Sequence, residues 1–206
     1  MLNAWLIGST IVGYLLGSLP FGYLVARAHG VDIFKAGSGN PGATNVKRVL
    51  GAKAGNTVFV LDTVKGAVAA GWPMWFLAHA PDARMMGLVG VIGAVLGHSF
   101  SIFTRFRGGK GVATTAGGLI VLMPVSCAIG GVVWVLTFLV TRYVSLGSIL
   151  AAVAVSLAGW LRGHSLPLNI VATILCLFVI VRHRENIARL LAGTENKFAR
   201  KPPAQP

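Results

Sequence analysis

The sequence predicts an all-α integral membrane protein built as a bundle of seven transmembrane helices. Of its 206 residues, 55% are hydrophobic and only 11% are charged, whereas soluble domains carry about a quarter charged residues. The apolar residues form runs long enough to cross a hydrocarbon core of about 30 Å. Nearly all basic residues lie between these runs. We therefore expect a single membrane-embedded domain over residues 1–206.

Seven apolar segments are candidates for the spans, and prolines shape two parts of this assignment. Pro20 lies inside the first segment and should kink its helix, because proline removes a backbone hydrogen bond. The run from Val112 to Val140 is long for one crossing, and we divide it at Pro124. The predicted spans are 2–26, 55–80, 87–103, 112–122, 125–140, 146–161 and 166–181. Thr114, Thr115, Gly117 and Gly118 should let the fourth span pack closely.

The distribution of charge predicts the orientation of the bundle. With the N-terminus outside, fifteen of the 18 lysine and arginine residues fall on the inner side, in loops 27–53, 104–111 and 141–145 or in the tail. Only Arg84 and Arg162 then lie outside. Basic loops favour the cytoplasmic side, so the C-terminus is expected to be cytoplasmic. The same distribution argues against a nucleic-acid partner. The tail ends in Lys197, Arg200, Lys201 and prolines and is expected to fray.

The polar loop 37–45 is the first candidate binding element. Its sequence, Gly-Ser-Gly-Asn-Pro-Gly-Ala-Thr-Asn, combines glycines with hydroxyl and amide side chains, and Lys47 and Arg48 follow it. Glycines expose the backbone, and clustered N–H groups can cradle an anion. The loop also matches G-x-G-x-x-G, but that pattern indicates dinucleotide binding only between a strand and a helix. Neighbouring membrane spans do not supply that context.

A second glycine-rich loop, Gly108-Gly109-Lys110-Gly111, presents a lysine without neighbouring side chains. Such an ammonium suits an anionic oxygen. The Walker pattern requires a glycine six residues before the lysine and a serine or threonine after it. Thr104 and Gly111 occupy those positions, so nucleotide hydrolysis is not expected.

A third polar group combines Ser145 and Ser148 with His183 and Asn186. The last two share a helical face if the final helix continues past Val181. A histidine, an amide and a serine suit a polyol phosphate or proton transfer. The alternative is a histidine and an asparagine that cap a helix end.

The second span carries two charged residues, Asp62 and Lys65, on one helical face. Charges inside a span usually face the bundle interior or a wet cavity. The pair either holds helices together or lines the site. Neither a metal nor a cofactor is expected, because the five acidic residues are too sparse to hold an ion. Cys127 and Cys176 lie in apolar runs and are interpreted as packing residues.

Together, these motifs resemble those of the bacterial acyl-phosphate-dependent glycerol-3-phosphate acyltransferase family, a group of small seven-span membrane enzymes. The matching segments follow the family's order and are 37–45, 97–100 (Gly-His-Ser-Phe), 108–114, 145–148 and 183–187 (His-Arg-Glu-Asn-Ile). The resemblance implies acyl transfer from acyl phosphate to the sn-1 hydroxyl of glycerol 3-phosphate. The products would be 1-acyl-glycerol 3-phosphate and phosphate, in the committed acylation of phospholipid biosynthesis. It also implies a bacterial cytoplasmic membrane and a site on the cytoplasmic face.

The resemblance assigns roles to residues at matching positions. One phosphate cradle would be lined by Ser38, Asn40, Thr44 and Asn45. Phosphate contacts would come from Arg48 and Lys110, and glycerol 3-phosphate would be positioned by Ser148, His183 and Asn186. Gly108, Gly109 and Ser145 are the remaining expected substrate-binding residues. Among all these, the candidate catalytic residues are Lys110, Ser148, His183 and Asn186. The expected partners are acyl phosphate, glycerol 3-phosphate and membrane lipid.

The alternative function is a membrane transporter for a small phosphorylated anion, because broken helices and polar glycine loops also suit transporters. The predicted placement of every polar motif on one face, and the lack of a visible inverted repeat in the sequence, favour the enzyme. An adaptor without chemistry would leave the ordered motifs unexplained.

Overall fold

The computed structural model describes residues 2–77 and 82–198, and all regular structure within these ranges is helical. The α-helices are α1 (Leu2–Ser18), α2 (Phe21–Ala28), α3 (Ala43–Leu50), α4 (Ala52–Phe76), α5 (Ala83–Ser99), α6 (Val112–Leu122), α7 (Pro124–Thr141), α8 (Val144–Leu161), α9 (Leu166–Arg182) and α10 (Arg184–Leu191). A short 3₁₀ helix covers Ile102–Thr104.

Both proline-based predictions are confirmed by helix boundaries. The first span is interrupted at Leu19 and Pro20, which separate α1 from α2. The long apolar run is divided at Met123, and α7 begins at Pro124. Proline is tolerated at this first helical position, because an N–H there would have no acceptor within the helix. Other boundaries differ: α4 begins three residues earlier than predicted and ends at Phe76, and residues 78–80 of that predicted span lie outside the described ranges.

Four helical segments are long and apolar enough to cross a membrane: Ala4–Ala28, Ala83–Thr104, Pro124–Thr141 and Val144–Leu161. The pair α9 and α10, bent by 57°, would make a fifth if it is one span. Helix α4 has 25 residues, but its charged side chains lower its hydropathy, and α6 has only 11 residues. The chain is a multi-helix membrane protein, while the count of seven spans and their orientation stay predictions.

Small residues allow the helix backbones to approach closely. On α1, a Cβ added at Gly13 would overlap the backbone of Gly90 on α5. On α6, a Cβ added at Gly117 would overlap the carbonyl of Thr63 on α4. Such close approach gives van der Waals contact between helices that the bilayer itself does not drive together. The predicted close packing of 112–122 is confirmed.

The outer surface and the interior of the bundle are both apolar. The main core is formed by residues from all six helices α4, α5, α6, α7, α8 and α9. It includes Val91, Leu119, Met123 and Leu175. Helix α7 instead leaves Val132, Leu136 and Leu139 more than half exposed. Exposed aliphatic side chains along a membrane helix are suited to contact with lipid.

The segment 27–53, predicted as a loop, contains the eight-residue helix α3. A second apolar core packs this segment against α2 and α4. In this core, Ile33, Val46 and Val58 are completely buried. The polar loop 37–45 is therefore anchored at both ends by buried aliphatic side chains.

The prediction of a frayed tail is wrong up to Phe198. Its backbone N–H donates to the carbonyl of Arg142 at 3.1 Å, and its ring meets Phe138 edge to face at 6.1 Å between centroids. We call residues 193–198 the C-terminal strap. Arg200 and Lys201 lie outside the described residues.

Candidate functional site

The strap places a carboxylate at the centre of the third polar group. Ser145 Oγ and Asn186 Nδ2 donate to Glu195 Oε1 at 2.7 and 2.6 Å. Arg189 Nε donates to Glu195 Oε2 at 2.7 Å. Glu195 is only 7% exposed. Its two oxygens thus join the first turn of α8 to helix α10.

Two local features of the sequence bring this carboxylate back to the cluster. The chain bends by 57° at His183, between α9 and α10. After α10, Gly193 adopts a φ of +70°, the left-handed conformation that ends many helices and reverses the chain. The condition for a shared helical face, one unbroken helix through His183 and Asn186, is therefore not met. His183 caps α9, whereas Asn186 lies in the first turn of α10.

The second glycine loop faces this cluster through its lysine. The Lys110 ammonium donates to Asn186 Oδ1. The loop backbone is held on two sides: Gly109 N–H donates to the His98 carbonyl at 3.1 Å, and Arg182 donates to the Gly109 carbonyl at 2.9 Å. The lysine therefore projects from a fixed backbone.

His183 is buried with one ring nitrogen available. Its Nδ1 lies 2.8 Å from the Val179 carbonyl. A carbonyl only accepts, so Nδ1 carries the proton and Nε2 keeps a free lone pair. Ser148, also buried, donates to the Val144 carbonyl at 2.9 Å and accepts from Trp134 Nε1 at 3.3 Å. The predicted span 146–161 begins two residues late, because α8 already begins at Val144.

Burial and neighbouring charges set the protonation states of the cluster. Burial, with repulsion from Arg189 and Arg182, lowers the pKa of Lys110 to about 8. Burial and the nearby Lys110 lower the pKa of His183 to about 4. Burial alone would raise the pKa of Glu195, but hydrogen bonds from Asn186, Ser145 and Arg189 bring it below its ordinary value. At neutral pH the cluster holds a mostly charged ammonium, a neutral imidazole and a carboxylate.

The first polar loop uses its amide side chains within itself. Asn45 is buried, accepts from the Ser38 N–H at 2.8 Å and donates to the Ala36 carbonyl at 2.9 Å. Asn40 Oδ1 accepts from the Gly42 N–H at 2.8 Å. Ser38 is exposed and Thr44 is partly exposed.

Arg48 links the first loop to the C-terminal strap. It follows the loop on α3, and its guanidinium donates to the Asn196 carbonyl at 3.4 Å. The same guanidinium lies 5.1 Å from the centre of the Phe198 ring. The strap therefore contacts both the basic side chain of α3 and the cluster around Glu195.

The structure thus brings together most of the residues predicted for the site. Those gathered around the strap are Arg48, Lys110, Ser145, His183 and Asn186. Ser148 lies one turn further along α8 and contacts Trp134. The loop residues 38–45 remain a separate element beside them. Sequence reasoning missed Glu195 and Arg182. A carboxylate two residues after a helix-ending glycine, in a basic tail, was the available signal for Glu195.

A family model described as glycerol-3-phosphate acyltransferase matches residues 7–193. This chain belongs to the glycerol-3-phosphate acyltransferase family. The matched region contains every site residue that the sequence predicted, so the resemblance to these acyltransferases is confirmed.

Individual members of the glycerol-3-phosphate acyltransferase family are similar over nearly their whole length. The enzyme of Trichlorobacter lovleyi is 42% identical over 195 residues, which cover 94% of this chain and 96% of the relative. That of Aquifex aeolicus is 42% identical and covers 91% of this chain and 96% of the relative. Both carry the name glycerol-3-phosphate acyltransferase.

Two crystal structures of PlsY (YgiH), described as an integral membrane glycerol 3-phosphate acyltransferase, share the fold. Its glycerol 3-phosphate form is 40% identical, has a TM-score of 0.88 and covers 94% of this chain and 96% of that one. Its lysophosphatidic acid form has a TM-score of 0.85, with 40% identity over 94% and 95% of the two chains. The all-helical membrane architecture is therefore that of the family.

Proposed function

We propose that this protein transfers a fatty acyl group from acyl phosphate to the sn-1 hydroxyl of glycerol 3-phosphate. The products are 1-acyl-glycerol 3-phosphate (lysophosphatidic acid) and phosphate. The observation that carries the proposal is the convergence of Lys110 with Ser145, His183 and Asn186 around one buried carboxylate. The glycerol 3-phosphate and lysophosphatidic acid forms of the related enzyme support the acceptor and the product.

The geometry of the two serines argues against an acyl-enzyme intermediate and therefore favours a donor that is already activated. Ser145 donates to Glu195, and Ser148 donates to the Val144 carbonyl. Neither hydroxyl is bonded to the imidazole of His183, the arrangement that would activate a serine nucleophile. An acyl phosphate is a mixed anhydride and brings its own leaving group, so orientation and charge stabilisation suffice.

The reaction is a direct substitution at the acyl carbonyl carbon. The glycerol C1 oxygen forms a bond to that carbon, and the bond from the carbon to the phosphate oxygen breaks. Lys110, which contacts the acceptor-binding residue Asn186, binds the phosphate of glycerol 3-phosphate, while Arg48 contributes a second cation. Asn186 and Ser148 orient the acceptor.

The burial of His183, its hydrogen bond to Val179 and its lowered pKa together support an orienting role rather than proton abstraction. A neutral imidazole with a pKa of about 4 is a weaker base than a phosphate monoester, whose second pKa is about 6. His183 Nε2 therefore accepts a hydrogen bond from the glycerol hydroxyl and orients it. The proton leaves with the phosphate, which accepts it on an oxygen as the bond to carbon breaks.

The donor is tested with purified protein in detergent, given glycerol 3-phosphate and a long-chain acyl phosphate. We expect one phosphate released per lysophosphatidic acid formed and no acylated protein by intact mass. Acyl-CoA and acyl carrier protein thioesters are the comparison donors. Faster turnover with either thioester would overturn the proposed donor, and an acylated serine would overturn direct transfer.

The proposed location is a bacterial cytoplasmic membrane, with seven spans and the site on the cytoplasmic face. The charge bias of the loops supports it. Single cysteines at exposed or partly exposed positions, Asp82→Cys and Asn196→Cys, are placed in a Cys127→Ala, Cys176→Ala background. An impermeant maleimide added to intact cells should label position 82 only. Equal labelling at both positions would contradict this topology.

A further inference from the structure

Two charged side chains lie inside α4, away from the cluster around Glu195. Asp62 and Lys65 are 2% and 4% exposed, and Lys65 Nζ lies 2.8 Å from Asp62 Oδ1. Charges within membrane spans are expensive and are usually retained for a functional reason. Their neighbours indicate what this pair does, because it contacts two irregular parts of the chain.

The first contact is with the interruption of the first span. Lys65 Nζ donates to the Leu19 carbonyl at 2.9 Å, and the ammonium lies 5.5 Å from the centre of the Phe21 ring. The Leu19 carbonyl also accepts from the Phe21 N–H at 3.1 Å, and Pro20 has no N–H to offer. The lysine therefore adds a second, charged donor at the break between α1 and α2.

The second contact is with the base of the glycine loop. His98 Nδ1 lies 3.6 Å from Asp62 Oδ1. The His98 carbonyl accepts the Gly109 N–H. A Cβ added at Gly108 would overlap the His98 carbonyl, and one at Gly109 would overlap the His98 ring. The glycine loop thus rests directly on His98, and His98 rests beside the buried pair.

A small cavity shows that this cluster supports the loop rather than forming a second substrate site. The cavity has a volume of about 20 Å³ and is lined by Asp62, Lys65 and His98 together with Pro41 and Gly108. Ligand sites are typically about 300–1,000 Å³. The space lies between the two polar loops and has room for little more than a water molecule.

We propose that Asp62, Lys65 and His98 are positioning residues that fix the glycine loop 108–111 and thereby set the reach of Lys110 toward glycerol 3-phosphate. The inference rests on the proposed role of Lys110. A buried ion pair can contribute conformational specificity more than stability. Catalysis is sensitive to displacements of about 1 Å in such supports.

The test removes both charges together, because Asp62→Asn alone would leave a buried ammonium unpaired. In the Asp62→Asn, Lys65→Met double variant, we expect the KM for glycerol 3-phosphate to rise about tenfold. The KM for the acyl donor should change less than twofold. The matched control is Asp32→Asn, Lys35→Met, which removes a pair with the same sequence spacing that is 3.8 Å apart and largely exposed. It should leave both KM values unchanged.

Binding of glycerol 3-phosphate is also measured by calorimetry without donor, so the result does not depend on which donor the protein uses. If acyl phosphate is not the donor, the unmodified protein will already show no turnover with it. If the double variant does not fold, His98→Asn removes the ring that packs against Gly109 and keeps both the ion pair and the backbone hydrogen bond from Gly109. A folded variant of either kind with unchanged KM and affinity for glycerol 3-phosphate would overturn the proposal. Equal losses for both substrates would also overturn it.

Discussion

The two glycine-rich loops both expose backbone groups, but they are stabilised in different ways. Loop 37–45 is stabilised from within, because Asn45 and Asn40 bond to the loop's own backbone. Loop 108–111 is stabilised from outside, by the His98 carbonyl on one side and by Arg182 on the other. Its own charged side chain, Lys110, is left to face Asn186.

This difference predicts which residues of each loop affect chemistry and which affect folding. Polar side chains of the first loop should contribute mainly to its conformation, and they leave backbone N–H groups to meet an anion. The lysine of the second loop should contribute mainly to the reaction, since other elements hold the backbone. The four predictions below test this division, from the largest expected effect to the smallest.

The largest effect is expected at Lys110. If its ammonium neutralises a phosphate in a partly dry site, Lys110→Ala should lose roughly 2–4 kcal/mol of transition-state stabilisation, about 10²–10³ in kcat/KM. Lys110→Arg should not restore activity fully, because a planar guanidinium does not replace a compact ammonium. Rates are compared at equal folded protein.

The control for Lys110 is Arg107→Ala in the same loop region, where the exposed guanidinium lies 4.3 Å from the centre of the Phe34 ring. Its activity should stay near that of the unmodified protein. If Lys110→Ala keeps more than about a third of the activity, a loss under about 1 kcal/mol, the lysine only contributes to topology.

Glu195 should matter for stability as well as for the site. Glu195→Ala leaves Ser145, Asn186 and Arg189 without their acceptor, and we expect a loss of roughly 3 kcal/mol in the free energy of unfolding. Because Arg189 is partly exposed, we expect the loss in unfolding free energy to lie at the low end of the range for a buried ion pair. Thermal unfolding in detergent measures the change.

The control for Glu195 is Glu185→Ala, whose exposed carboxylate lies 4.0 Å from Arg184. An exposed pair of this kind contributes about 0–1 kcal/mol. Equal unfolding temperatures for the Glu195 and Glu185 variants would show that the strap does not hold the cluster.

Asn45 tests whether the first loop is stabilised from within. Asn45→Ala leaves the Ser38 N–H and the Ala36 carbonyl unpaired, which should lower stability by about 2 kcal/mol. Ser38→Ala keeps that backbone bond and removes only an exposed hydroxyl, so its unfolding temperature should not change. If the two variants unfold alike, the internal hydrogen bonds do not maintain the loop.

The pH dependence of kcat/KM at low glycerol 3-phosphate provides the smallest effect. It reports ionisations of the free enzyme. The lowered pKa of Lys110, about 8, means that the ammonium is present below this pH and is lost as pH rises through it. We expect kcat/KM to fall by up to about tenfold per pH unit above 8.

The Lys110→Arg variant provides the matched control for the pH profile, because a guanidinium stays charged across this range. Its lower kcat/KM should be level between pH 8 and 9.5. A level profile in the unmodified protein would contradict a lowered pKa for Lys110.

The sequence by itself determined the class of fold and the helix interruptions, and it indicated most residues of the candidate site. Apolar runs, prolines and glycines act locally, so the helix breaks at Pro20 and Pro124 could be predicted without knowing the rest of the fold. The motif positions were equally visible, because each lies within a few consecutive residues. The family followed from these motifs taken together, in their order along the chain.

Only the tertiary structure decided how these pieces meet. The bend at His183 replaces the continuous helix that spacing suggested, and the strap then carries Glu195 back to Ser145, 50 residues earlier in the chain. The support of Gly109 by His98, and of His98 by the α4 pair, also joins distant segments. Such contacts depend on packing between helices, and a single sequence carries no local pattern that records which side chains will face each other across them.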